Sequence, residues 1–370
     1  MKSRGSTRLR LADRYVGIPL LAILGLLRRR ASQLPPAVLS IGVMKTTAIG
    51  DTVLLSGALH DLAAAHPQAQ LTFIAGPDNA ALVRLFPEPR QVVVVDPTSP
   101  VRVVSMLRDY RFDLLIDCGP WARSEAVYSA LSGAAGTVGY RTKGQHRHFC
   151  QDVSVDHLES VHESENYRRL MAAAGATGDT SPRLLAAGTA AAARFADKPY
   201  IVVHAWPSGV HSELKEWPSE RWCALIRLLE EDGYVVALSG GPADVPKSAV
   251  LAKLCSAQVA DLAGQLNLAE LTDVLNAAAC VVSVNTGVMH MAAALGVPTV
   301  SLNGPTSERR WGPVGRRATS VNSRFPGCGF LHLGGEFEGN RTDCMLGIDV
   351  QAVYEAITSV VQPVAPGRAV

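Results

Sequence analysis

Short runs of aliphatic residues alternate with longer stretches that have one polar face along most of this 370-residue chain. Such runs are typical of buried β-strands, and the stretches between them have the spacing of amphipathic helices. The first half predicts strands over residues 38–43, 71–75, 91–95 and 114–118, and helices over 52–65, 79–85, 100–110 and 162–174. The second half predicts strands over 200–205, 234–238, 280–284 and 299–302, and helices over 220–232, 268–279, 287–295 and 349–360. Because helices separate successive strands, each half is predicted to contain a parallel sheet with right-handed crossovers.

Two stretches interrupt this alternation. Residues 119–149 are loop-rich and basic, and residues 175–198 hold little pattern beyond Gly, Pro and Ala. A chain of this length is expected to form two domains, and we place their junction in the second stretch. The predicted organisation is an N-terminal interfacial segment (1–37), an N-terminal domain (38–190), a C-terminal domain (199–347), and a terminal helix and tail (348–370).

Composition and charge place the chain among globular proteins. Hydrophobic residues make up 48% and charged residues 18%, which excludes a disordered chain, and a net charge of +2 gives no argument for nucleic acid as a partner. Seven scattered cysteines suggest reduced, packed thiols in a cytosolic compartment. Cys328, His332 and Cys344 lack the paired spacing of a zinc site, so we expect no metal there.

The N-terminal segment differs from the rest of the chain. Basic residues precede an apolar run, Tyr15 to Leu27, and three arginines follow it: Lys2, Arg4, Arg8, Arg10 and Arg14 on one side, Arg28, Arg29 and Arg30 on the other. Thirteen residues are too few to span a hydrocarbon layer of about 30 Å, and no small-residue cleavage site follows. The pattern predicts a segment that lies on the surface of an anionic membrane through residues 1–34. The alternative is a helix packed on the protein's own surface.

One strand–turn–helix has the pattern of an anion site. The predicted strand 280–284 is followed by Asn285-Thr286-Gly287 and then by a helix that contains His290. The N–H groups and positive dipole end of such a helix bind phosphates at the carboxyl edge of open α/β sheets. Taken alone, the same pattern also describes an ordinary βαβ unit.

The fuller sequence resembles a known family. The string NTGVMHMAAALGVPTVSLNGPT followed by WGP resembles glycosyltransferase family 9, the ADP-heptose lipopolysaccharide heptosyltransferases. The Ile-Gly-Asp motif at Asp51, the KEWP block at Lys215 and the Gly-Gly-Pro-Ala-Asp segment ending at Asp244 resemble the same family. This resemblance implies an α/β protein of GT-B architecture, with two Rossmann-like domains facing across a cleft. It also implies an inverting, metal-independent transfer of a sugar, with a nucleoside diphosphate as leaving group.

The resemblance assigns roles to individual residues. Asp51 would be the general base and Lys215 would neutralise the leaving diphosphate, while the donor would be bound by Asp244, Asn285, Thr286, Gly287 and His290. A carboxylate at a helix N-terminus is kept ionised by the dipole, which suits a base, although Asp51 could serve only the helix. For the acceptor we name basic residues of the 119–149 stretch, which could equally be a solvated loop: Arg123, Arg141, Lys143 and Arg147. No Asp-x-Asp is present to hold a divalent ion, and no cofactor is expected beyond the nucleotide-sugar substrate.

Asn285 departs from the family, which has Asp-Thr-Gly at this turn. The amide keeps the shape of the carboxylate and loses its charge. Three outcomes stay open: the same donor with altered affinity, a different donor sugar, or a weak enzyme kept as a nucleotide-sugar-binding protein. Our hypothesis is a cytoplasmic protein, peripheral on the inner face of the inner membrane, that moves a heptose from ADP-heptose onto a lipopolysaccharide-type or related envelope glycan.

Overall fold

The computed structural model describes residues 15–27, 34–196, 198–209, 211–256, 258–332 and 340–361. The chain divides into two compact units, with the boundary between Leu185 and Ala186. Each unit contains one six-stranded sheet in which all neighbouring strands are parallel. The prediction of two parallel α/β units is therefore confirmed.

The first unit has the strand order β3-β2-β1-β4-β5-β6. Its strands are β1 (Ser40–Lys45), β2 (Gln70–Ala75), β3 (Gln91–Val94), β4 (Leu114–Asp117), β5 (Gly136–Arg141) and β6 (Val153–Asp156). Its described helices are α1 (Gly17–Leu27), α2 (Ile49–Ala65), α3 (Ala80–Val83), α4 (Pro100–Tyr110), α5 (Arg123–Leu131) and α6 (Glu163–Ala172).

The second unit repeats this topology, with the order β12-β11-β10-β7-β8-β9. Its strands are β7 (Tyr200–His204), β8 (Val235–Leu238), β9 (Ala260–Asp261), β10 (Cys280–Val284), β11 (Thr299–Asn303) and β12 (Ala318–Asn322). Its described helices are α7 (Ser219–Glu231), α8 (Val245–Cys255), α9 (Leu268–Asn276), α10 (Gly287–Ala294), α11 (Glu308–Trp311) and α12 (Val350–Val361). In both units two groups of three strands meet at a reversal of strand order, which is the Rossmann arrangement.

Burial explains why the central strands were visible in the sequence. All residues of β7, β10 and β11 are buried, as expected for parallel strands covered by helices on both faces. Helix α9 begins with a capping box, because the Asn267 side chain accepts the Glu270 N–H while the Glu270 carboxylate accepts the Asn267 N–H. Gly296 follows α10 with φ of 77°, a left-handed conformation that favours glycine at a helix end.

The prediction of a loop over residues 119–149 is wrong. This stretch contains helix α5 and strand β5, and strand β6 follows shortly after it. Strand β5 (GTVGYR) has two glycines and only one aliphatic residue, so its apolar pattern is weak although five of its six residues are buried. Helix α5 has a short apolar face that packs between the sheet and α1.

The prediction that all cysteines are reduced is also wrong. Disulfides join Cys223 to Cys255 and Cys328 to Cys344, and the other three cysteines are buried and free. The first bridge links α7 to α8, and the second ties residue 328 to the turn before α12. Because Cys328 and Cys344 are bonded to each other, they are not metal ligands in this structure.

Helix α1 packs against the first unit through one face. Leu21 is fully buried in a cluster with Ala126 and Cys150, and a side chain at Gly25 would collide with the Phe149 carbonyl at 2.8 Å. No helix within the described ranges is long and apolar enough to cross a bilayer. The basic residues that flank the helix (Lys2, Arg4, Arg8, Arg10, Arg14, Arg28, Arg29 and Arg30) lie outside the described residues.

Candidate active site

Open α/β sheets bind ligands at the carboxyl ends of the strands where the strand order reverses. This point lies between β1 and β4 in the first unit and between β7 and β10 in the second. The residues that follow β1 lead to Asp51, and those that follow β10 are Asn285, Thr286 and Gly287. The topology therefore brings the predicted base and the predicted donor turn to the ligand-binding edge of their own sheets.

Asp51 lies in the first turn of α2, directly after the end of β1. Its Oδ2 is 3.2 Å from the Nζ of Lys45, the last residue of β1, and its side chain is about one-fifth exposed. The residue before the helix, Ala48, has φ of 68°, a left-handed conformation that is strained for a residue with a Cβ. Strain of this kind is concentrated at functional sites, where it orients a side chain.

Lys45 is the positive centre of a buried acidic cluster. Burial lowers the pKa of Lys45, but the attraction of Asp51, and then of Glu125 and Glu163, outweighs it, so that the pKa is raised and the ammonium stays charged. Glu125 accepts bonds from the Thr46 N–H and hydroxyl, which fixes the turn between β1 and α2. Lys45 was not predicted from the sequence, where it lies two residues beyond the predicted strand 38–43.

The next layer of this cluster is aromatic. His157 Nε2 lies 3.0 Å from Glu163 Oε2, and the His157 ring packs edge-on against Tyr140. Tyr167 is fully buried beside them; burial first, and then the charges of Asp51 and Glu163, raise the pKa of Tyr167 well above its usual range. These buried groups pack against one another beside the charged cluster, and they were not predicted from the sequence.

The four predicted acceptor residues have different environments. Arg147 is fully buried, where it forms an ion pair with Asp117 and donates to the Ala122 carbonyl, so its role in this structure is to hold the loop after β4. Arg123 is also buried and donates to the carbonyls of Gly144 and Gln145. Arg141 and Lys143 are exposed, and Arg141 lies 3.4 Å from Asp156. Arg141 and Lys143 are therefore accessible to an acceptor, whereas Arg123 and Arg147 are buried and bonded within the first unit.

In the second unit, the N-terminus of α10 is shaped for an anion. Thr286 is the N-cap residue with extended backbone, and its side chain makes no capping bond to the helix. Gly287 is the first helical residue, so the backbone N–H groups of this turn can be approached closely. His290 lies one turn further along and is buried.

The partners of Asn285 explain why an amide stands at this position. Its Nδ2 donates to Asn303 Oδ1 at 2.9 Å and to the Trp311 carbonyl at 2.8 Å. These bonds join the turn after β10 to the end of β11 and to α11. A carboxylate cannot donate, so an aspartate would face two acceptors in this arrangement.

A polar cavity of about 220 Å³ adjoins this turn at the carboxyl ends of β11 and β12. The buried Asn303, which holds Asn285, lines it, and the Nδ2 of Asn303 has no hydrogen-bond partner among the described residues. The other lining residues are Gly304, Ser307, Glu308, Asn322, Ser323, Cys328 and Gly329. A buried donor without a partner at a sheet edge is typical of a site that binds a polar ligand.

The other predicted donor residues lie on loops after β7 and β8. Lys215 is partly buried and donates to the Ser208 carbonyl at 2.9 Å; burial lowers the pKa of Lys215, and Glu213 opposes this. Asp244 accepts the Gly241 N–H at 2.8 Å and so orders the Gly-Gly turn. His204 was not predicted from the sequence; it ends β7 at the switch point and lies 3.0 Å from the Ser239 hydroxyl. Burial lowers the pKa of His204 to about 4, although the charge of Asp244 opposes this shift. Its imidazole is therefore neutral at neutral pH.

Among the described residues, no group of three or more His, Cys, Asp or Glu side chains is placed to hold a metal ion.

Comparison with known proteins identifies the family. A Rossmann-like unit with one parallel six-stranded sheet in each half defines an α/β protein of the GT-B-like type. The model of glycosyltransferase family 9 (heptosyltransferase) matches residues 101–328, well over half of the chain. The chain belongs to glycosyltransferase family 9.

Individual relatives agree with this assignment. Lipooligosaccharide heptosyltransferase 2 of Haemophilus influenzae is 32% identical over 119 residues, which is 31% of this chain and 34% of that protein. The fold is similar to E. coli ADP-heptose lps heptosyltransferase II, with a TM-score of 0.73 and 21% identity over 87% of this chain and 98% of that one. It is also similar to E. coli heptosyltransferase WaaC with ADP-2-deoxy-2-fluoro heptose, with a TM-score of 0.64 and 20% identity over 87% of this chain and 99% of that one.

Proposed function

We propose that this protein is an inverting glycosyltransferase that moves a heptose from ADP-heptose onto a lipopolysaccharide-type or related envelope glycan. The observation that supports it most is the family match, which covers the anion-binding turn of the second unit. The solved relative that contains an ADP-heptose analogue supports ADP-heptose as the donor.

The proposed reaction is a single displacement without a metal. A hydroxyl oxygen of the acceptor attacks the anomeric carbon, the bond from that carbon to the diphosphate oxygen breaks, and ADP leaves. Asp51 takes the proton from the attacking hydroxyl. Its position in the first turn of α2 and its contact with Lys45 favour the ionised carboxylate that this step requires.

The donor diphosphate is proposed to lie at the N-terminus of α10, with Thr286 and Gly287 against it. The charge that develops on the leaving diphosphate is stabilised by backbone N–H groups and by the Lys215 ammonium. Asp244 is proposed to contact the ribose, and Asn285 to hold the turn rather than to contribute charge. The cavity next to Asn303 is proposed to take polar groups of the donor.

The acceptor is proposed to be a glycolipid met at the inner face of the inner membrane, with residues 1–34 as the membrane contact. The basic and apolar composition of this segment supports peripheral association. Arg141 and Lys143 are the exposed basic residues that we propose for the acceptor's anionic groups.

A second candidate function follows from Asn285, since a change at this position in the family motif permits another nucleotide sugar or a binding protein with weak catalysis. A panel of ADP, UDP, GDP, CMP and ADP-heptose separates these possibilities in thermal-shift measurements. A ligand at 100 times its dissociation constant adds about 2.7 kcal/mol to the free energy of unfolding. We expect stabilisation by ADP and more by ADP-heptose; preference for UDP or GDP would overturn the donor, and no response to any would overturn the transferase.

The panel includes a variant at the proposed site. Thr286→Val keeps the shape of the turn and removes one hydroxyl, so it should weaken ADP binding. Thr98→Val, which removes a hydroxyl bonded to Asp96 in the first unit, is the matched control and should leave ADP binding unchanged.

A further inference from the structure

Helix α1 presents an apolar face that the rest of the first unit does not cover. Ile23 is 53% exposed, Leu27 78% and Leu26 87%, and Tyr15, Val16 and Leu20 are exposed on the same segment. The opposite face, with Gly17, Leu21, Leu24 and Gly25, packs on α5 and on the turn at 147–150. The helix is therefore seated on the protein by one stripe and exposes aliphatic side chains on the other.

A second apolar feature adjoins the seat of α1. A groove of about 450 Å³ runs between α4 and α5 and is lined mainly by apolar side chains, with Val101 81% exposed at its edge. Val127 and Leu131 of α5 line this groove and also contact the cluster under α1. The groove thus adjoins the seat of α1 through α5, and Arg108 and Asp109 both line it.

The sequence on either side of α1 indicates what covers its outer face. Eight of the chain's 35 Lys and Arg residues fall within residues 1–34, against one of its 33 Asp and Glu residues. The sequence of α1, GIPLLAILGLL, has no polar side chain that could set the register of a protein partner. An apolar stripe between two basic flanks is complementary to the headgroup and acyl boundary of an anionic bilayer.

We infer that the outer face of α1, together with the α4–α5 groove, is the surface by which the first unit lies on an anionic lipid leaflet. An 11-residue helix is about 16 Å long, so α1 lies in the interface instead of crossing it. Two contributions act together, since apolar insertion or basic charge alone gives only marginal binding. This surface accounts for the membrane association in the proposed function, and the inference rests on that association.

The test is flotation of the full-length protein with vesicles of phosphatidylcholine alone and of phosphatidylcholine with phosphatidylglycerol. The wild-type protein should float with the anionic vesicles, less at high salt, and little with the neutral ones. Leu26→Glu combined with Leu27→Glu should lower the vesicle-bound fraction at least tenfold. Val250→Glu is the matched control, because Val250 is 67% exposed on α8 in the second unit and should float like the wild type.

Three outcomes would overturn the inference. If the Leu26 and Leu27 variant floats like the wild type, α1 does not contact the lipid. If the wild-type protein floats with neither kind of vesicle, lipid is not the partner of this surface. If the wild-type protein is a dimer without lipid and the variant is not, the partner is a second copy of the chain. Calorimetry of ADP-heptose on the same proteins reports on the transferase proposal separately, since the α1 variant should bind the donor like the wild type.

Discussion

Lys45 and Asp51 form the residue pair on which the proposed chemistry depends. The buried ammonium contacts Asp51, which we place at the reacting hydroxyl, and is also attracted by the charges of Glu125 and Glu163. We expect Lys45→Met to lower kcat about ten- to a hundredfold, because a hydrogen bond to a charged group contributes about 1.5–3 kcal/mol. The acidic limb of the rate profile should move to higher pH, since the carboxylate loses the cation that favours its ionised form.

Lys45→Arg is the control for this prediction, as it keeps the charge and should recover part of the rate. Donor binding in the second unit should be unchanged in both variants, which checks that the protein is folded. A Lys45→Met protein with the pH profile of the wild type would show that Lys45 has only a structural role.

Asn285 was the residue that the sequence left most open, and the structure gives it a packing role. Asn285→Asp restores the family residue but places a carboxylate against the Trp311 carbonyl and Asn303. We expect it to lower the free energy of unfolding by about 1–3 kcal/mol, because two donated hydrogen bonds are lost and acceptors face each other at a half-buried position. Denaturant unfolding measures this, and a variant as stable as the wild type would mean that Asn303 or α11 rearranges to accept the aspartate.

His204 predicts a dependence of stability on pH. Its pKa is lowered by burial to about 4, so between pH 6.5 and 4 the unfolded chain binds a proton that the folded protein does not. Stability therefore falls as the pH falls through this window, by about 3 kcal/mol for this residue. Between pH 7 and pH 4, the free energy of unfolding should therefore fall less in His204→Asn than in the wild type. An equal fall in both proteins would contradict the burial of a neutral imidazole.

The positions of candidate site residues were predictable from the sequence where a turn or a helix start marks them. Asp51, Thr286 and Gly287 all follow buried strands, and that position alone indicates the ligand edge of the sheet. Lys45 and His204 were missed because each ends its strand as a single polar residue, and only the strand order shows that both strands lie at a switch point. The burial of Arg147 depends on Asp117, thirty residues away, and no local pattern reports such a pair.

At the scale of elements, long aliphatic strands were recognisable and short polar ones were not. Strands β7 (YIVVH) and β10 (CVVSV) each have three aliphatic residues and are fully buried, and their bounds were predicted within a residue. Strand β12 (ATSVN) and strand β6 (VSVD) were missed, because edge strands with one covered face contain few apolar residues. Their places are set by parallel pairing with β11 and β5, which is a tertiary effect.

The cysteine pairs give a prediction at this scale. Alkylation of the unfolded protein without reductant should modify three thiols, Cys118, Cys150 and Cys280, and reduction should expose all seven. Reduction should also lower the midpoint of thermal unfolding, since a bridge that closes a loop of this size contributes about 2–4 kcal/mol. Seven reactive thiols in protein purified without reductant would instead agree with the cytosolic location inferred from the sequence.

For the whole molecule, the fold followed from the alternation of strands and helices, and the family followed from a few turn residues in the second half. The topology is the same in both units, so what distinguishes them is the chemistry at each switch point. The first offers a carboxylate with a buried lysine, and the second offers a helix N-terminus with a neutral histidine. One unit is therefore suited to take a proton and the other to hold a diphosphate.

The most direct test is release of ADP from ADP-heptose by the purified protein, with and without a lipopolysaccharide-type acceptor that lacks the terminal heptose. We predict release that depends on the acceptor, lowered about 10²- to 10⁴-fold by Asp51→Asn with donor binding retained. Lys215→Ala should lower it about 10²- to 10³-fold. Turnover that is unchanged by Asp51→Asn, or that proceeds equally without acceptor, would contradict the assignment of this site as a glycosyltransferase centre.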